Sequence, residues 1–314
     1  MIKKQITKAK IVVLLGSTAS GKTALGVRLA ARYQGEIISA DSRQVYKGMD
    51  IGTAKDLKEY NFEGQNIPYH LIDVVAPKTN FNLAKYQKLA FKAIEDVLSR
   101  GKLPIIVGGT GLYLQAVVDN YHLSSVKGNL KQREAWEALG TEVLWQKIKN
   151  INEDFALRLN NSERNNPRRL ARYLEILDNP ELLNQKKDSP YDFLVLGLER
   201  SDEELRERIA KRVYDRLQNE NMIAEVEHLH QQGVSWKRLI SFGLEYRFIA
   251  YFLTKKISYE EMLTQLNTAS YRFAKRQKTW FKRWQKQGRD IVWIDNIHEA
   301  EKEIDEFLGK KCYN

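Results

Sequence analysis

A glycine-bounded loop near the amino end constrains the fold of this chain more than any other stretch. It follows an apolar run at 11–15 and precedes residues 24–30, which read as a helix. The loop is Gly16-Ser17-Thr18-Ala19-Ser20-Gly21-Lys22-Thr23. Strand, GxxxxGK[ST] loop and helix in this order are typical of a P-loop, whose backbone N–H groups and helix terminus bind a phosphate. In a P-loop, Lys22 is expected to reach an outer phosphate and the Thr23 hydroxyl to hold Mg²⁺. The alternative interpretation of these eight residues is a glycine turn with a surface lysine.

The net charge of the chain indicates which class of partner it binds. Its 314 residues carry a net charge of +11, which favours a polyanion, with nucleic acid as the leading candidate and a merely soluble basic protein as the alternative. One cysteine, Cys312, excludes a disulfide framework and a zinc site built on cysteine pairs. No apolar run is long enough to span a membrane, and the first strand begins too early for a signal peptide. We therefore expect a cytoplasmic protein, acting as a monomer.

Two later apolar runs end in polar residues. Residues 36–40 end at Asp41, and residues 104–107 end in Gly108-Gly109-Thr110-Gly111. Parallel strands present working residues at their carboxyl ends, so we expect Asp41 to be a catalytic or metal-linked carboxylate; a simple loop or capping aspartate is the alternative. Glycines let a ligand approach the second turn, where Thr110 supplies the one side-chain hydroxyl. The alternative there is an ordinary strand-to-helix turn.

The distribution of apolar and polar residues along the chain predicts an α/β core with an insertion. Residues 1–118 and 191–314 read as two parts of a P-loop core, a parallel sheet flanked by helices. Residues 119–190 are polar and basic with no clear strand, which predicts an all-helical insertion domain with helices over 130–138, 141–149 and 168–177. His70 is expected to be structural, because no second histidine has the spacing of a metal or relay site.

Three stretches are cationic. In the insertion, Pro167 suits a first helical turn and is followed by Arg168, Arg169 and Arg172. After the capping box at 201–204, a helix carries a series of cations that could equally be solvated surface: Arg206, Arg208, Lys211, Arg212 and Arg216.

The third cationic stretch lies near the carboxyl end, where no acidic residue occurs between Glu261 and Asp290. A helix over 268–289 would place Phe273, Trp280 and Trp284 on one stripe. Six cations would share another stripe: Arg272, Lys275, Arg276, Lys282, Arg283 and Lys286. We expect the aromatic stripe to dock on the body and the basic stripe to face a phosphate backbone, with an unoccupied basic surface as the alternative.

Four blocks together resemble the tRNA dimethylallyltransferase family, the tRNA isopentenyltransferases. They are GSTASGKT at 16–23, ADSRQVYKGMDIGTAK at 40–55, VGGTGLYL at 107–114 and YRFAKRQKTWF at 271–281. YHLID at 69–73 and the region 207–226 fit the same pattern. The resemblance covers nearly the whole chain, and its second and fourth blocks are specific to the family.

The resemblance implies a P-loop NTPase-like fold and a prenyltransferase. The reaction would transfer a dimethylallyl group from dimethylallyl diphosphate to the exocyclic amine of the adenosine 3′-adjacent to the anticodon in tRNA, releasing diphosphate. In this family the P-loop holds the diphosphate, so Lys22, Thr23 and Mg²⁺ would neutralise charge on the leaving group.

The resemblance also implies roles outside the P-loop. Asp41 would accept a proton from the adenine amine, Thr110 would hydrogen-bond near that nitrogen or the diphosphate, and Arg133 matches the arginine that clamps the diphosphate. Residues matched to tRNA contacts are Asp41, Ser42, Arg43 and Gln44 near the flipped base, and Arg168, Arg169 and Arg172 in the insertion. An unpaired anticodon loop makes base flipping cheap.

The sequence departs from the family at two places. FGLEYR at 242–247 stands where a motif like IGYKE is expected, which puts tRNA contacts there in question, and Asn221 replaces a usual glycine. The chain has no carboxyl-terminal zinc-finger extension, which resembles the bacterial or organellar form. Three alternative functions share the P-loop. The first is an adenylate isopentenyltransferase with AMP, ADP or ATP as acceptor, and the helical insertion and basic tail argue against it. The second is a small-molecule P-loop kinase, which the DSRQ and GGTG blocks fit poorly. The third is a non-catalytic RNA-binding P-loop protein, and Asp41 argues against it.

Overall fold

The fold is described from a computed structural model for residues 8–123, 129–179, 185–186 and 188–310. Cys312 lies outside these residues. The chain divides into two compact units, one made of 1–118 with 189–314 and the other of 119–188. The second unit ends two residues before the carboxyl boundary expected for the insertion.

The described residues of both units form strands and helices. The strands are β1 (Ala9–Gly16), β2 (Gly35–Ser39), β3 (Asn61–Phe62), β4 (Gln65–Asn66), β5 (Tyr69–His70), β6 (Leu103–Gly108), β7 (Tyr121–His122), β8 (Gln185–Lys186), β9 (Tyr191–Leu198) and β10 (Val292–Ile294). The helices are α1 (Lys22–Tyr33), α2 (Leu83–Ser99), α3 (Gly111–Val118), α4 (Leu130–Ala138), α5 (Thr141–Ile151), α6 (Glu153–Arg158), α7 (Asn161–Arg164), α8 (Pro167–Asp178), α9 (Asp202–Gln218), α10 (Met222–Gln231), α11 (Trp236–Phe242), α12 (Leu244–Leu253), α13 (Tyr259–Lys286) and α14 (Ile297–Leu308).

A six-stranded parallel sheet forms the centre of the first unit. Its strand order is β10-β9-β1-β6-β2-β5, with β1 paired to β6 on one side and to β9 on the other. Because every pairing is parallel, the strands end at the same edge. That edge receives the loops that follow β1, β2 and β6.

The sheet is covered on both faces, as a parallel sheet requires. Alternate residues of β1 explain how. Ile11, Val13 and Leu15 pack with residues of α2, α3 and α13, whereas Val12 and Leu14 pack with residues of α1 and α14. All five side chains are fully buried. The predicted α/β architecture, a parallel sheet flanked by helices, is confirmed.

A further apolar core joins the loop after β2 to the carboxyl-terminal helices. Val45 and Met49 of that loop are fully buried against side chains of α9, α10, α11, α12 and α13. This cluster anchors the residues that follow Asp41, so the loop is held by packing as well as by hydrogen bonds.

The second unit has its own small core, built from α5, α6 and α8 around Leu144, Ile148 and Leu170. Two short helices, α6 and α7, were not evident from periodicity because each spans fewer than two turns; their asparagine caps, Asn152 and Asn160, mark them. The expectation of an all-helical insertion also differs from the structure. A two-residue antiparallel pair, β7 with β8, lies at the ends of this unit, too short to leave a strand pattern in the sequence.

Two further expectations differ in detail. The helix predicted over 268–289 begins earlier, at Tyr259, because Ser258 and Glu261 form a capping box. His70 is structural as expected, since its Nε2 lies 2.8 Å from the Glu36 carboxylate. None of the described helices has the length and apolar character needed to cross a membrane.

Candidate active site

The loop at 16–23 connects β1 to α1 at the carboxyl edge of the sheet. Gly21 caps the helix with φ of +89°, a conformation that side chains rarely adopt, and Ala19 is also left-handed with φ of 63°. Ser17 and Ser20 are buried. The eight residues therefore form one compact turn that leads directly into a helix amino terminus, which suits an anion.

Lys22 is held back along this loop. Its Nζ donates to the Ser17 carbonyl at 3.2 Å. Burial lowers the pKa of Lys22 to about 8; the Asp41 carboxylate opposes this effect and the Arg212 guanidinium adds to it. A bound phosphate would supply the counter-charge that this ammonium lacks.

Asp41 follows β2 at the same edge. Its Oδ1 accepts hydrogen bonds from the backbone N–H of Arg43 at 2.7 Å and of Gln44 at 3.3 Å. Asp41 therefore forms a local turn, which was the alternative to a catalytic carboxylate in the sequence analysis. Asp41 also lines the cavity beside the P-loop. The turn fixes one carboxylate oxygen and so orients the other.

Thr110 ties the loop after β6 to the loop after β2. Its Oγ1 accepts from the Ser42 N–H at 3.1 Å, and its own N–H donates to the Ala40 carbonyl at 3.2 Å. A Cβ at Gly108 would collide with the Ala40 carbonyl, so this close approach needs glycine. Because the Thr110 oxygen acts as acceptor, its hydroxyl hydrogen can still be donated to a ligand.

Gln277 is a site residue that was not predicted. Its Oε1 accepts from the Thr18 N–H at 2.8 Å, and its Nε2 donates to the Gly109 carbonyl at 2.8 Å. It is 7% exposed. One buried amide thus joins the P-loop to the turn that carries Thr110. The available signal was its position in the buried stripe of α13, between Ala274 and Phe281.

The cations of α9 also reach the P-loop. Arg212 donates to the Thr18 hydroxyl at 2.6 Å. Burial lowers the pKa of Arg212 to about 10, and the neighbouring Arg216 adds to the shift. Arg208 lines the cavity near Gly21 while it pairs with Glu204 at 2.9 Å. The series that the sequence allowed to be solvated surface therefore lies partly inside the site.

The first unit contains a cavity of about 940 Å³ at this edge. It is lined by the P-loop, Asp41, the end of β6, the loop 50–60, α9 and two residues of α13. Its basic lining residues are Lys22, Lys55, Lys58, Arg208, Lys211, Arg212 and Arg216. Its acidic lining residues are Asp41, Asp50, Asp56, Glu59, Asp215 and Glu220. The size of the cavity and the cations beside the P-loop, Lys22, Arg208 and Arg212, suit a phosphorylated ligand with room for more than the phosphates.

Gln44 and Arg43, predicted to touch a flipped base, have distinct surroundings. The Gln44 amide is used internally, since Ser39 donates to its Oε1 at 3.0 Å and its Nε2 donates to the Ala54 carbonyl at 3.1 Å. The Arg43 guanidinium lies 5.6 Å from the Phe242 ring, and burial lowers its pKa. Gln44 thus supports the loop 50–55, whereas Arg43 keeps its donors beside Asp41.

The arginines predicted in the insertion lie in the second unit. Arg133 and Arg172 both pair with the buried carboxylate of Glu175. Arg168 is 81% exposed and 3.4 Å from Glu137, and Arg169 is exposed. Arg168 and Arg169 are therefore presented to solvent, whereas Arg133 and Arg172 are drawn into an internal ion-pair group.

On α13, the predicted basic residues Arg272 and Arg276 are exposed. The predicted aromatic stripe is only partly right. Trp284 is buried at 1% exposure and Trp280 packs against the core beside Gly111, as predicted. Phe273 is half-buried and lines the cavity instead of docking on the body. The docking stripe also includes Leu266, Ala274 and Phe281, which the prediction omitted.

The residues fit a magnesium ion held mainly by a ligand. Within the described ranges, no group of three or more His, Cys, Asp or Glu side chains is arranged to bind a metal. The Thr23 hydroxyl lines the cavity at the start of α1. Mg²⁺ at phosphate sites takes most of its oxygens from phosphate and water, so one hydroxyl is a sufficient protein contribution.

Comparisons with known proteins identify the family of the chain. The chain matches the family model for IPP transferases over residues 44–284. It is 47% identical over 297 residues to tRNA dimethylallyltransferase 1 of Syntrophus aciditrophicus, covering 93% of this chain and 96% of the relative. It resembles the crystal structure of a tRNA isopentenylpyrophosphate transferase from Bacillus halodurans, with a TM-score of 0.69, 34% identity and 96% of each chain covered.

A second solved structure extends the likeness. It is a eukaryotic dimethylallyltransferase acting on tRNA, with a TM-score of 0.76, 25% identity, and coverage of 98% of this chain and 81% of that one. The resemblance read from the four sequence blocks is confirmed. The chain therefore belongs to the IPP transferase family, the family of the tRNA dimethylallyltransferases.

Proposed function

We propose that this protein transfers a dimethylallyl group from dimethylallyl diphosphate to the exocyclic amine of the adenosine 3′-adjacent to the anticodon in tRNA. The observation that carries the proposal is the shared cavity of the P-loop and Asp41. The P-loop follows β1 and Asp41 follows β2, and β6 separates these strands in the sheet, yet both groups line one pocket at the same edge. A leaving group on the loop and a base at the carboxylate would therefore share that pocket. The names of the matched relatives supply the substrate class.

The donor half of the reaction belongs to the P-loop and α9. The loop amides, the helix terminus, Lys22 and Arg212 bind the diphosphate and stabilise the charge that grows on it as the carbon–oxygen bond breaks. The Thr23 hydroxyl would hold Mg²⁺, which would supply further positive charge to the diphosphate. Burial lowers the pKa of Lys22 and of Arg212, which means that it disfavours their charged forms. A bound polyanion would stabilise the charged form of both side chains.

The acceptor half belongs to Asp41 and Thr110. The amine nitrogen attacks the allylic carbon, a carbon–nitrogen bond forms, and the bonding electrons leave with diphosphate. The amine proton goes to the carboxylate oxygen of Asp41 that the local turn leaves available. Thr110 donates its hydroxyl hydrogen toward the adenine or the diphosphate, while the Ser42 N–H fixes its oxygen.

The RNA is held by exposed cations outside the cavity. Arg168, Arg169, Arg272 and Arg276 bind phosphates of the anticodon arm, and the charge of +11 adds attraction over a longer range. Arg43, with its guanidinium near Asp41, contacts the displaced base.

The test is a competition between acceptors. Protein is incubated with dimethylallyl diphosphate labelled in the prenyl group, with Mg²⁺ and either tRNA or AMP. Label in tRNA alone supports the proposal, and chelation of Mg²⁺ should lower the rate. Label in AMP alone would indicate an adenylate isopentenyltransferase. No label in either, combined with phosphate transfer from ATP to a small acceptor, would indicate a kinase.

A further inference from the structure

Arg216 is a buried cation of the cavity with one guanidinium nitrogen that lacks a hydrogen-bond partner. It lies on α9, lines the cavity and is 5% exposed. Its Nη1 is buried and lacks a hydrogen-bond partner, and its charged neighbour is Glu245, whose Oε1 lies 3.6 Å away. Buried guanidinium groups normally have their N–H donors satisfied, so this one requires an explanation.

The position of Arg216 extends the row of arginines on α9. Arg208, Arg212 and Arg216 follow one another at intervals of four residues, so the row spans about 12 Å along one helix face. Arg208 lies near Gly21 and Arg212 binds Thr18. Arg216 therefore lies a full turn beyond the last arginine that touches the P-loop, deeper along the same cavity wall.

Arg212, one helical turn before Arg216, also has a buried guanidinium nitrogen without a hydrogen-bond partner. Its Nε is buried without a hydrogen-bond partner, although its Nη2 is bonded to the P-loop. Burial and the charge of Arg216 together lower the pKa of Arg212. Two neighbouring guanidinium groups with unfilled donors and mutual repulsion form an incomplete anion site.

Glu245 balances this charge without occupying the donors. It is 7% exposed at the start of α12, one of the residues in the FGLEYR stretch. Aligning Gly243 with the glycine of the IGYKE pattern puts Glu245 where that pattern has lysine. The separation of 3.6 Å is too long for a hydrogen bond, so the carboxylate stabilises the guanidinium while leaving its N–H groups for another partner.

The geometry points to Arg216 as a phosphate-binding residue, acting with Arg212 on a phosphate oxygen beyond the P-loop. The phosphate belongs either to the donor diphosphate or to the RNA backbone next to the acceptor adenosine. This deepens the proposed function by adding a phosphate contact to the same cavity.

The main test removes both charges, because deleting one partner of a buried pair destabilises the fold by itself. The variant is Arg216→Met with Glu245→Gln. Its affinity for inorganic diphosphate and for an anticodon stem-loop RNA without donor is measured by calorimetry. We expect one of the two affinities to fall by about 10- to 100-fold, as for a lost hydrogen bond to a charged group. The affected probe identifies the source of the phosphate.

Two control variants complete the test. Glu245→Gln alone deletes one partner of the pair but keeps the cation, so its folding is first checked by circular dichroism. At a temperature where this variant is folded, both probes should bind at least as tightly as to the native protein. Arg206→Met changes an exposed arginine of the same helix, packed 4.0 Å from the Tyr271 ring, and should leave both affinities within about twofold.

If the double variant binds both probes like the native protein, Arg216 and Glu245 form a structural ion pair and the inference is overturned. Equal weakening by Arg206→Met would also overturn it, because any cation of α9 would then have the same effect. Neither probe needs prenyl transfer. A protein that binds diphosphate through Arg216 but fails to label tRNA would therefore disprove the proposed reaction and leave this inference standing.

Discussion

Helices α9 and α13 carry cations at similar density but present them in opposite directions. On α9, Arg212 and Arg216 turn into the cavity beside the P-loop. On α13, Arg272 and Arg276 face solvent. The difference follows from helical position: Arg212 and Arg216 fall on or next to the stripe of Leu205 and Ile209, whereas the exposed pair lies off the buried stripe of its helix. Charge count alone would treat the two helices alike.

The comparison separates two kinds of effect. Residues that face the cavity should change the chemistry or the binding of the donor. They should leave the salt dependence of RNA binding unchanged, unless the phosphate bound by Arg216 belongs to the RNA backbone. Residues that face solvent should change RNA affinity and its salt dependence and leave turnover at saturating RNA unchanged.

The largest effect is expected at the carboxylate inside the cavity. Asp41→Asn keeps an oxygen that can accept from the Arg43 N–H but removes the base. We expect turnover to fall by about 10²- to 10⁴-fold with tRNA affinity preserved, measured by single-turnover kinetics and filter binding. Normal turnover in this variant would exclude Asp41 as the proton acceptor.

The next effect concerns the inward row of α9. Arg212→Met removes a charged donor near the P-loop, and we expect the affinity for dimethylallyl diphosphate to fall by about 10- to 100-fold. The salt slope of tRNA binding should stay as in the native protein. A reduced slope with unchanged donor affinity would place Arg212 among the RNA contacts and erase the contrast between the helices.

The pH dependence of diphosphate binding tests the role of Lys22. Burial lowers the pKa of Lys22 to about 8, so the free protein loses this charge as pH rises through that value. A bound diphosphate raises the pKa again, and binding near pH 8 should therefore take up part of a proton. Diphosphate affinity should fall by up to about tenfold per pH unit above 8. Lys22→Arg keeps its charge over this range, so its affinity should not change between pH 7 and 9.

The smallest effect is expected for the outward row of α13. Arg272→Gln with Arg276→Gln should weaken tRNA binding by about 3- to 10-fold and reduce the salt slope by about 1.4 to 1.8, as for two lost phosphate contacts. The rate at saturating tRNA should not change. The control is Lys302→Gln, an exposed cation on α14. An equal effect from the control would mean that only net charge matters.

These regions also show how far local sequence determines the site. The P-loop was predictable because Gly21 must be left-handed and the flanking strand and helix leave a periodic pattern. Asp41 and Thr110 were predictable as a pair because parallel strands end at one edge. The sequence therefore predicted that these loops lie at one edge of the sheet before any contact was known.

Gln277 and Arg216 were not predictable in the same way. A glutamine in a basic, aromatic run and an arginine in a cationic helix both read as surface residues until packing shows which stripe is buried. Each interrupts an apolar stripe, Gln277 between Ala274 and Phe281 and Arg216 after Val213. A polar residue in a buried stripe was the signal available, and its partners lie far away in the chain.

The most direct test of the proposed reaction is to identify the modified nucleoside. tRNA is incubated with the protein, Mg²⁺ and dimethylallyl diphosphate, digested to nucleosides and analysed by mass spectrometry, in parallel with the Asp41→Asn variant. The proposed reaction predicts an adenosine carrying a five-carbon group on its exocyclic amine, located next to the anticodon and absent from the variant. Unmodified tRNA, a prenyl group on another base, or an equal yield from Asp41→Asn would contradict it.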